Sequence, residues 1–433
     1  MSARNTALRA LIACRTANAW SDAVLKDYIS ADRLDPRDAG LCTTLCLGVL
    51  QNQALLDYYI DGFLQGKKRL PPVLRDILRL GAYQILMLDR VPDSAAVNEA
   101  VKQAKKRLGQ REAGLCNGVL RNLSRQKEGL TPPQDYAIRY SHPPALVDLM
   151  KESVGKRLGA ILEADNSSPE TTAHWNGQRC SEEALLARWE QEGVEAAPHP
   201  WMAHCYLLRR TGNLEALGSF QEGWFQIQDP AAKLAVQVLE LEPGMKVLDL
   251  CAAPGGKSVA AGLVMENRGR IVSCDLHPGK LPQIEAAASR LGVTILETEQ
   301  NDGTQFRPEW QEQFDVVIAD VPCSGLGVIR KKPDIRYKSL EDMEQLPALQ
   351  RAILEQAGRY VRPGGQLLYS TCTILQRENQ DVAEDFLKDH PEFQTEMLSL
   401  PEPLRQQQKG MLTLYQGINQ CDGFFLCRMR KSI

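Results

Sequence analysis

Five short apolar runs recur between residues 246 and 371: "KVLDLC", "RIVSCD", "VTILET", "FDVVIAD" and "GQLLYST". Helical stretches or Gly/Pro turns separate them. Strands alternating with helices predict a parallel sheet covered on both faces. In such sheets ligands bind beyond the carboxyl ends of the strands. From about residue 226 to 433 the chain therefore reads as an α/β, Rossmann-like domain, with its chemistry expected at that edge.

Residues 1–130 have another rhythm. "CTTLCLGVLQNQALLDYYIDGFL" and "LPPVLRDILRLGAYQILML" space apolar residues three and four apart, which predicts an all-α bundle. Pro71 and Pro72 suit a helix start, and Asp93 or Ser94 can cap the helix of "AAVNEAVKQAKKRLG". "KEGLTPPQDYA" (127–137) breaks the pattern with Gly129, Pro132 and Pro133 and reads as a linker. Residues 138–225 mix short helices with weak strands and read as a small α+β linking subdomain. A chain of 433 residues is too long for one ordinary core and suits this multidomain division.

Charge separates the parts. Residues 1–130 carry 20 lysines and arginines against 13 acids, and the remainder 31 against 41. A basic bundle on an acidic body points to a polyanion, with Lys102, Lys105, Lys106 and Arg107 as candidate contacts; a solvated helical surface accounts for the same charge. No stretch approaches the roughly 18 apolar residues of a membrane helix, and the amino terminus lacks a signal-peptide pattern. We expect a cytoplasmic protein. The twelve cysteines form no C-x-x-C pair and are expected as free thiols; Cys42 and Cys46 read as core, and no metal is expected.

"KVLDLCAAPGGKSVAAGLV" is strand, glycine turn and helix. A phosphate loop needs glycine five residues before Gly256, where Cys251 stands, and G-x-G-x-x-G is absent. Gly255 and Gly256 still let backbone approach a ligand closely. Asp275, nineteen residues after Gly256, ends the second run and suits ribose hydroxyls. Asp302, after the third, suits an adenine edge. A nucleoside without phosphates, such as S-adenosylmethionine, fits better than NAD or ATP; an ordinary α/β turn with incidental acids is the alternative. Cys323 in "IADVPCSGLG" and Cys372 in "YSTCT" each follow an apolar run. Buried cysteine is ordinarily a small hydrophobe, so a pair at strand ends invites a chemical reading.

Together, "DLCAAPGGKS", "ADVPCSGLGVIRKKPDIRY" and "YSTCT" followed by Glu378-Asn379 resemble the RNA cytosine-5 methyltransferase family. The resemblance runs from about Gln228 to "DGFFLCRMRK". The amino-terminal bundle is similar to the NusB RNA-binding fold, and the pairing resembles the RsmB group, bacterial enzymes that methylate a cytosine of 16S ribosomal RNA. The resemblance implies that Cys251, Ala252, Ala253, Pro254, Gly255, Gly256, Lys257, Asp275, Asp302 and Asp320 bind S-adenosylmethionine. It implies Cys372 as nucleophile and Cys323 as the thiol that assists release. The chain departs from the family at Val321, at "AHWNG" (173–177), at "QDP" (228–230) and at "QREN" (376–379), which keeps Glu378 and Asn379.

Such chemistry needs these groups. Thiolate addition to carbon 6 of cytosine makes carbon 5 nucleophilic, and a base must then remove the carbon-5 proton. Asp320, if protonated, is placed to donate to the ring nitrogen. Spacing alone leaves open which cysteine attacks. "VIRKKPDIRYK" (328–338) offers Arg330, Lys331, Lys332, Arg336 and Tyr337 to phosphates and a stacked base; a solvated basic loop is the plain alternative. The expected partner is RNA, namely 16S ribosomal RNA of the small subunit, met by a monomer. A tRNA substrate and a noncatalytic RNA-binding assembly factor remain open on sequence alone.

Overall fold

The computed structural model describes residues 2–17, 20–64, 66, 69–407 and 410–433. The chain divides into two compact units, Met1–Glu152 with Leu162–Ser167 and Ile329–Lys338, and Ser153–Ile161 with Ser168–Val328 and Ser339–Ile433.

The first unit is helical. Its core is built by Leu8, Cys42, Leu45, Cys46, Leu56, Ile77 and their neighbours, all buried. Pro36 opens the helix Pro36–Gln51, whose cap is Asp35 accepting the Asp38 N–H at 2.8 Å. Gly48 lets the helix Pro72–Met87 approach, because a Cβ there would lie 2.0 Å from Tyr83 Cζ. Asp93 differs from its expected capping role. It is the first residue of Asp93–Leu108, without a side-chain cap bond, and its carboxylate accepts from Ser124 Oγ at 2.7 Å and Lys127 Nζ at 3.2 Å.

Residues 329–338 come from far along the sequence, yet belong to this unit. Ser21 N–H donates to Asp334 at 3.3 Å, and the Tyr337 hydroxyl donates to the Leu50 carbonyl at 2.8 Å. Arg336 is 1% exposed. Its Nη1 donates to the carbonyls of Gln51, Tyr140 and Ser141 at 2.8, 3.2 and 3.2 Å, and Nη2 to that of Asp165 at 3.3 Å. The expectation that Arg336 meets phosphate is corrected: its guanidinium is buried and committed to backbone oxygens.

The second unit holds two sheets. The smaller contains β1 (Thr171–Trp175), β2 (Glu195–Pro198), β3 (Cys205–Arg209) and β4 (Phe225–Ile227), antiparallel in the order β2-β3-β1-β4. Leu185 and Trp189 of the helix Glu182–Gln191 close its core with Phe225. The larger sheet contains β5 (Lys246–Asp249), β6 (Arg270–Asp275), β7 (Leu296–Gln300), β8 (Phe314–Asp320), β9 (Val361–Thr371), β10 (Phe393–Thr395), β11 (Met411–Leu414) and β12 (Phe424–Lys431). Its order is β10-β12-β9-β8-β5-β6-β7, with β11 also on β12.

Strands β5 to β9 pair parallel, as their apolar runs predict. Val247, Ile271, Val316 and Leu368 face one core layer, while Leu248, Val272, Val317 and Leu367 face the other. Burial on both faces explains why the runs lack polar alternation. An all-parallel sheet is not what forms, because β12 inserts antiparallel between β9 and β10. No single helix among the described residues is long and apolar enough to cross a membrane.

Removing the Arg336 guanidinium strands several buried carbonyls. Arg336→Met should lower stability by about 3 kcal/mol, whereas exposed Lys332→Ala should stay within about 0.5 kcal/mol. Denaturant melts of the full chain check both.

Candidate active site

β8 and β9 end together. Their register pairs Asp320 with Ser370, so the chain leaves both strands at one edge and carries Cys323 and Cys372 to the same place. The two sulfurs stand 3.2 Å apart. Around Cys372 the turn is pinned by its carbonyl, which accepts the Gly327 N–H at 2.9 Å, and the Gly327 carbonyl in turn accepts from Gly423 at 2.9 Å. Only glycine fits at 327, since a Cβ would lie 1.9 Å from the Gly423 oxygen.

The thiols are unequal. The hydrogen bond from Cys323 pulls the Cys372 thiol below its ordinary range, opposed by burial and by the charges of Asp320 and Asp422, and aided by Lys257. Cys323 moves the other way, raised first by that hydrogen bond with Cys372, then by burial and by the charges on Cys372 and Glu378. Of the pair, Cys372 is the thiol that gives up its proton more readily.

Lys257 is buried and donates to Asp320 Oδ2 at 2.6 Å, with its ammonium 5.1 Å from the Phe424 ring centre. Ser370 Oγ donates to Asp320 Oδ1 at 2.7 Å. Both Asp320 oxygens thus accept, an arrangement that suits a carboxylate. The expectation of a protonated, donating Asp320 meets the opposite hydrogen-bond pattern.

The glycine turn follows β5. Gly255 has φ of 98°, and a Cβ on it would lie 3.0 Å from Ile284 Cγ2. The Gly256 carbonyl accepts from Gln226 at 2.8 Å, and the helix Gly256–Val264 begins there. Cys251, Ala252, Ala253 and Pro254 form the turn itself, leading to Lys257. Asp275 closes β6 and is buried, its Oδ1 accepting the His277 N–H at 2.9 Å and lying 3.5 Å from Lys280 Nζ. Asp302 follows β7 and is exposed, with Oδ1 accepting from the Thr304 N–H and hydroxyl at 3.0 and 2.7 Å. All of these lie at carboxyl ends of the parallel strands.

The remaining candidates lie in the first unit. Lys102, Lys105, Lys106 and Arg107 are exposed on the helix Asp93–Leu108, and Lys102 pairs with Glu99 at 2.7 Å. Lys332 and the Tyr337 ring are exposed, Lys331 is half-buried, and Arg330 and Arg336 are buried.

Sequence reasoning missed three site groups. Asn301, one residue before Asp302, is buried, and its Nδ2 lacks a partner. Gln350, in the helix Leu346–Tyr360, reaches the Pro322 carbonyl at 3.0 Å. Asp249 is buried at the end of β5, accepting from Ser258 Oγ at 2.6 Å. An acid inside the apolar run "KVLDLC" was its only signal.

An α/β sheet with a glycine turn, a strand-end acid and paired thiols at its carboxyl edge has the layout of the class of α/β proteins that bind ligands beyond the strand ends. The comparisons narrow that class. Residues 236–430 match the family described as 16S rRNA methyltransferase RsmB/F, residues 1–125 the NusB family, and residues 142–215 the ferredoxin-like domain of RsmF/B-like methyltransferases. The chain is 36% identical to the probable ribosomal RNA small subunit methyltransferase B of Bacillus subtilis, covering 99% of each. It is 34% identical to ribosomal RNA small subunit methyltransferase B of Vibrio cholerae, over 92% of this chain and 91% of the other. Among solved structures, that titled PH0851 superposes with a TM-score of 0.79 at 25% identity, over 98% of both chains. A methyltransferase homologue from Pyrococcus horikoshii gives 0.60 at 26% identity, over 70% of this chain and 100% of that one. This chain belongs to the 16S rRNA methyltransferase RsmB/F family.

Burial lifts the Asp249 carboxyl from 3.8 to about 7, with the Ser258 bond opposing and the Asp320 charge adding. Folded Asp249 thus keeps a proton that the unfolded chain releases, so its contribution to stability falls as pH rises from about 4 to 7. Asp249→Asn should remove that decline, roughly 4 kcal/mol across the window. Denaturant melts of both proteins against pH measure the difference.

Proposed function

We propose that this chain methylates carbon 5 of a cytosine in 16S ribosomal RNA, with S-adenosylmethionine as donor and a covalent Cys372–cytosine intermediate. The observation that carries this reading is the 3.2 Å thiol pair beside the Lys257–Asp320 ion pair. When bound, S-adenosylmethionine supplies an electrophilic methyl group.

The residues at the carboxyl edge fit that molecule. Gly255 leaves backbone where a side chain would strike Ile284. Asp275 offers a carboxylate to ribose hydroxyls, and the unpartnered Asn301 Nδ2 offers a buried donor to the adenine side. Asp302 lies further out, and Cys251 to Lys257 line the turn.

Cys372, the thiol with the lower proton affinity, adds to carbon 6. Lys257 meets the negative charge that then develops on the ring. Asp320, an acceptor at both oxygens, can take a hydrogen bond from the exocyclic amine of cytosine, a donor that uracil lacks. Cys323 assists release: once its own proton has passed to solvent, its thiolate takes the carbon-5 proton, and the electron pair of that C–H bond re-forms the ring double bond and expels Cys372 as a thiolate. The base must leave its stack to reach these sulfurs. Exposed Lys102, Lys105, Lys106 and Arg107 hold phosphates, Lys331 and Lys332 do likewise, and Tyr337 stacks a neighbouring base. The protein acts as a cytoplasmic monomer.

Two measurements test the reading. Asp275→Ala should weaken S-adenosylmethionine binding about tenfold or more in titration calorimetry, with an unchanged melt; unaltered affinity removes Asp275 from the site. Cys372→Ala should abolish methylation and form no covalent RNA complex. Cys323→Ala should still attack and methylate, leaving a protein–RNA adduct that survives denaturing electrophoresis. The reverse pattern exchanges the two roles, and full activity in both variants ends the covalent mechanism.

A further inference from the structure

Two adjacent residues hold both thiol loops at once. Glu378 and Asn379 are completely buried. Glu378 Oε2 accepts the Ser324 N–H and the Gln350 amide, each at 2.9 Å. The same Gln350 amide donates to the Pro322 carbonyl at 3.0 Å. Pro322 and Ser324 are the neighbours of Cys323 on either side. Asn379 does the equivalent for Cys372: Oδ1 accepts from Thr371 Oγ1 at 2.6 Å, and Nδ2 donates to the Thr373 carbonyl at 3.0 Å. A 2.7 Å bond between Ser324 Oγ and Thr373 Oγ1 joins the two loops directly.

We propose that Glu378 and Asn379 are positioning residues, Glu378 setting Cys323 and Asn379 setting Cys372, and that their adjacency in the chain fixes the sulfur–sulfur distance. Each contacts the backbone or hydroxyl of residues flanking a thiol, so each acts through another group. The glutamate adds a second effect, because its charge raises the proton affinity of the thiol that it holds. The clamp itself is independent of any reaction, whereas its division between attack and release rests on the proposed function.

The first test needs neither RNA nor methyl donor. Phenylarsine oxide bridges two thiols only when they are adjacent, and peptide mass spectrometry locates the bridge on Cys323 and Cys372 of the full chain. Glu378→Ala and Asn379→Ala should each reduce capture by about tenfold while retaining a cooperative melt. Glu378→Gln keeps an amide oxygen for Ser324 and Gln350 and should restore it. With RNA and S-adenosylmethionine, Asn379→Ala should slow adduct formation by about a hundredfold, and Glu378→Ala should accumulate adduct. Undiminished capture in both alanine variants overturns the clamp. Capture lost only together with the cooperative melt, and not restored by Glu378→Gln, also overturns it. Reduced capture without a split between attack and release upholds the clamp and instead overturns the assigned thiol roles.

Discussion

Parallel pairing of β8 with β9 governs the site. Asp320 opposite Ser370 is both a step of the ladder and a functional contact, since the serine hydroxyl donates to the aspartate. A slip of one residue would turn each side chain to the other face. It would separate the acid from Lys257 and part the two thiol loops. The apolar layers on both faces hold the register, so packing far from solvent sets the geometry of a few polar groups at the edge.

Those polar groups then work against burial. Desolvation alone raises acids and thiols, as it does for Asp249 and Cys251. Cys372 departs from that trend only because a donor thiol and a cation lie beside it. Lys257 serves the acid by direct contact and the sulfur through its field. One buried cation thus acts on both an acid and a thiol, from a place between Asp320 and the Phe424 ring.

Much of this was legible. The runs around Val247, Val272 and Val317 announced buried parallel strands because period and chemistry agreed. The strand-end positions of Asp275, Cys323 and Cys372 followed. What escaped depends on distance along the chain. β12 lies between β9 and β10, although no local pattern says where a strand near the carboxyl terminus inserts. Arg336 sits in a basic stretch that reads as a nucleic-acid contact, yet its acceptors come from residues 51, 140, 141 and 165. Gln350 and Asn301 are ordinary polar residues whose roles arise only from tertiary neighbours.

The placement of Ile329–Lys338 bears on how the molecule is made. Synthesis runs from the amino terminus, and domains commonly close as they emerge. The helical unit lacks one of its buried parts until residue 338 has been delivered, by which time β5 to β8 have already been synthesised. Until then, the carbonyls of Gln51, Tyr140, Ser141 and Asp165 lack the guanidinium that bridges them in the folded protein. The helical pattern of the sequence breaks near residue 130, but the compact unit runs on to Glu152 and takes in residues 329–338, so its last buried segment is among the later parts of the chain to be made.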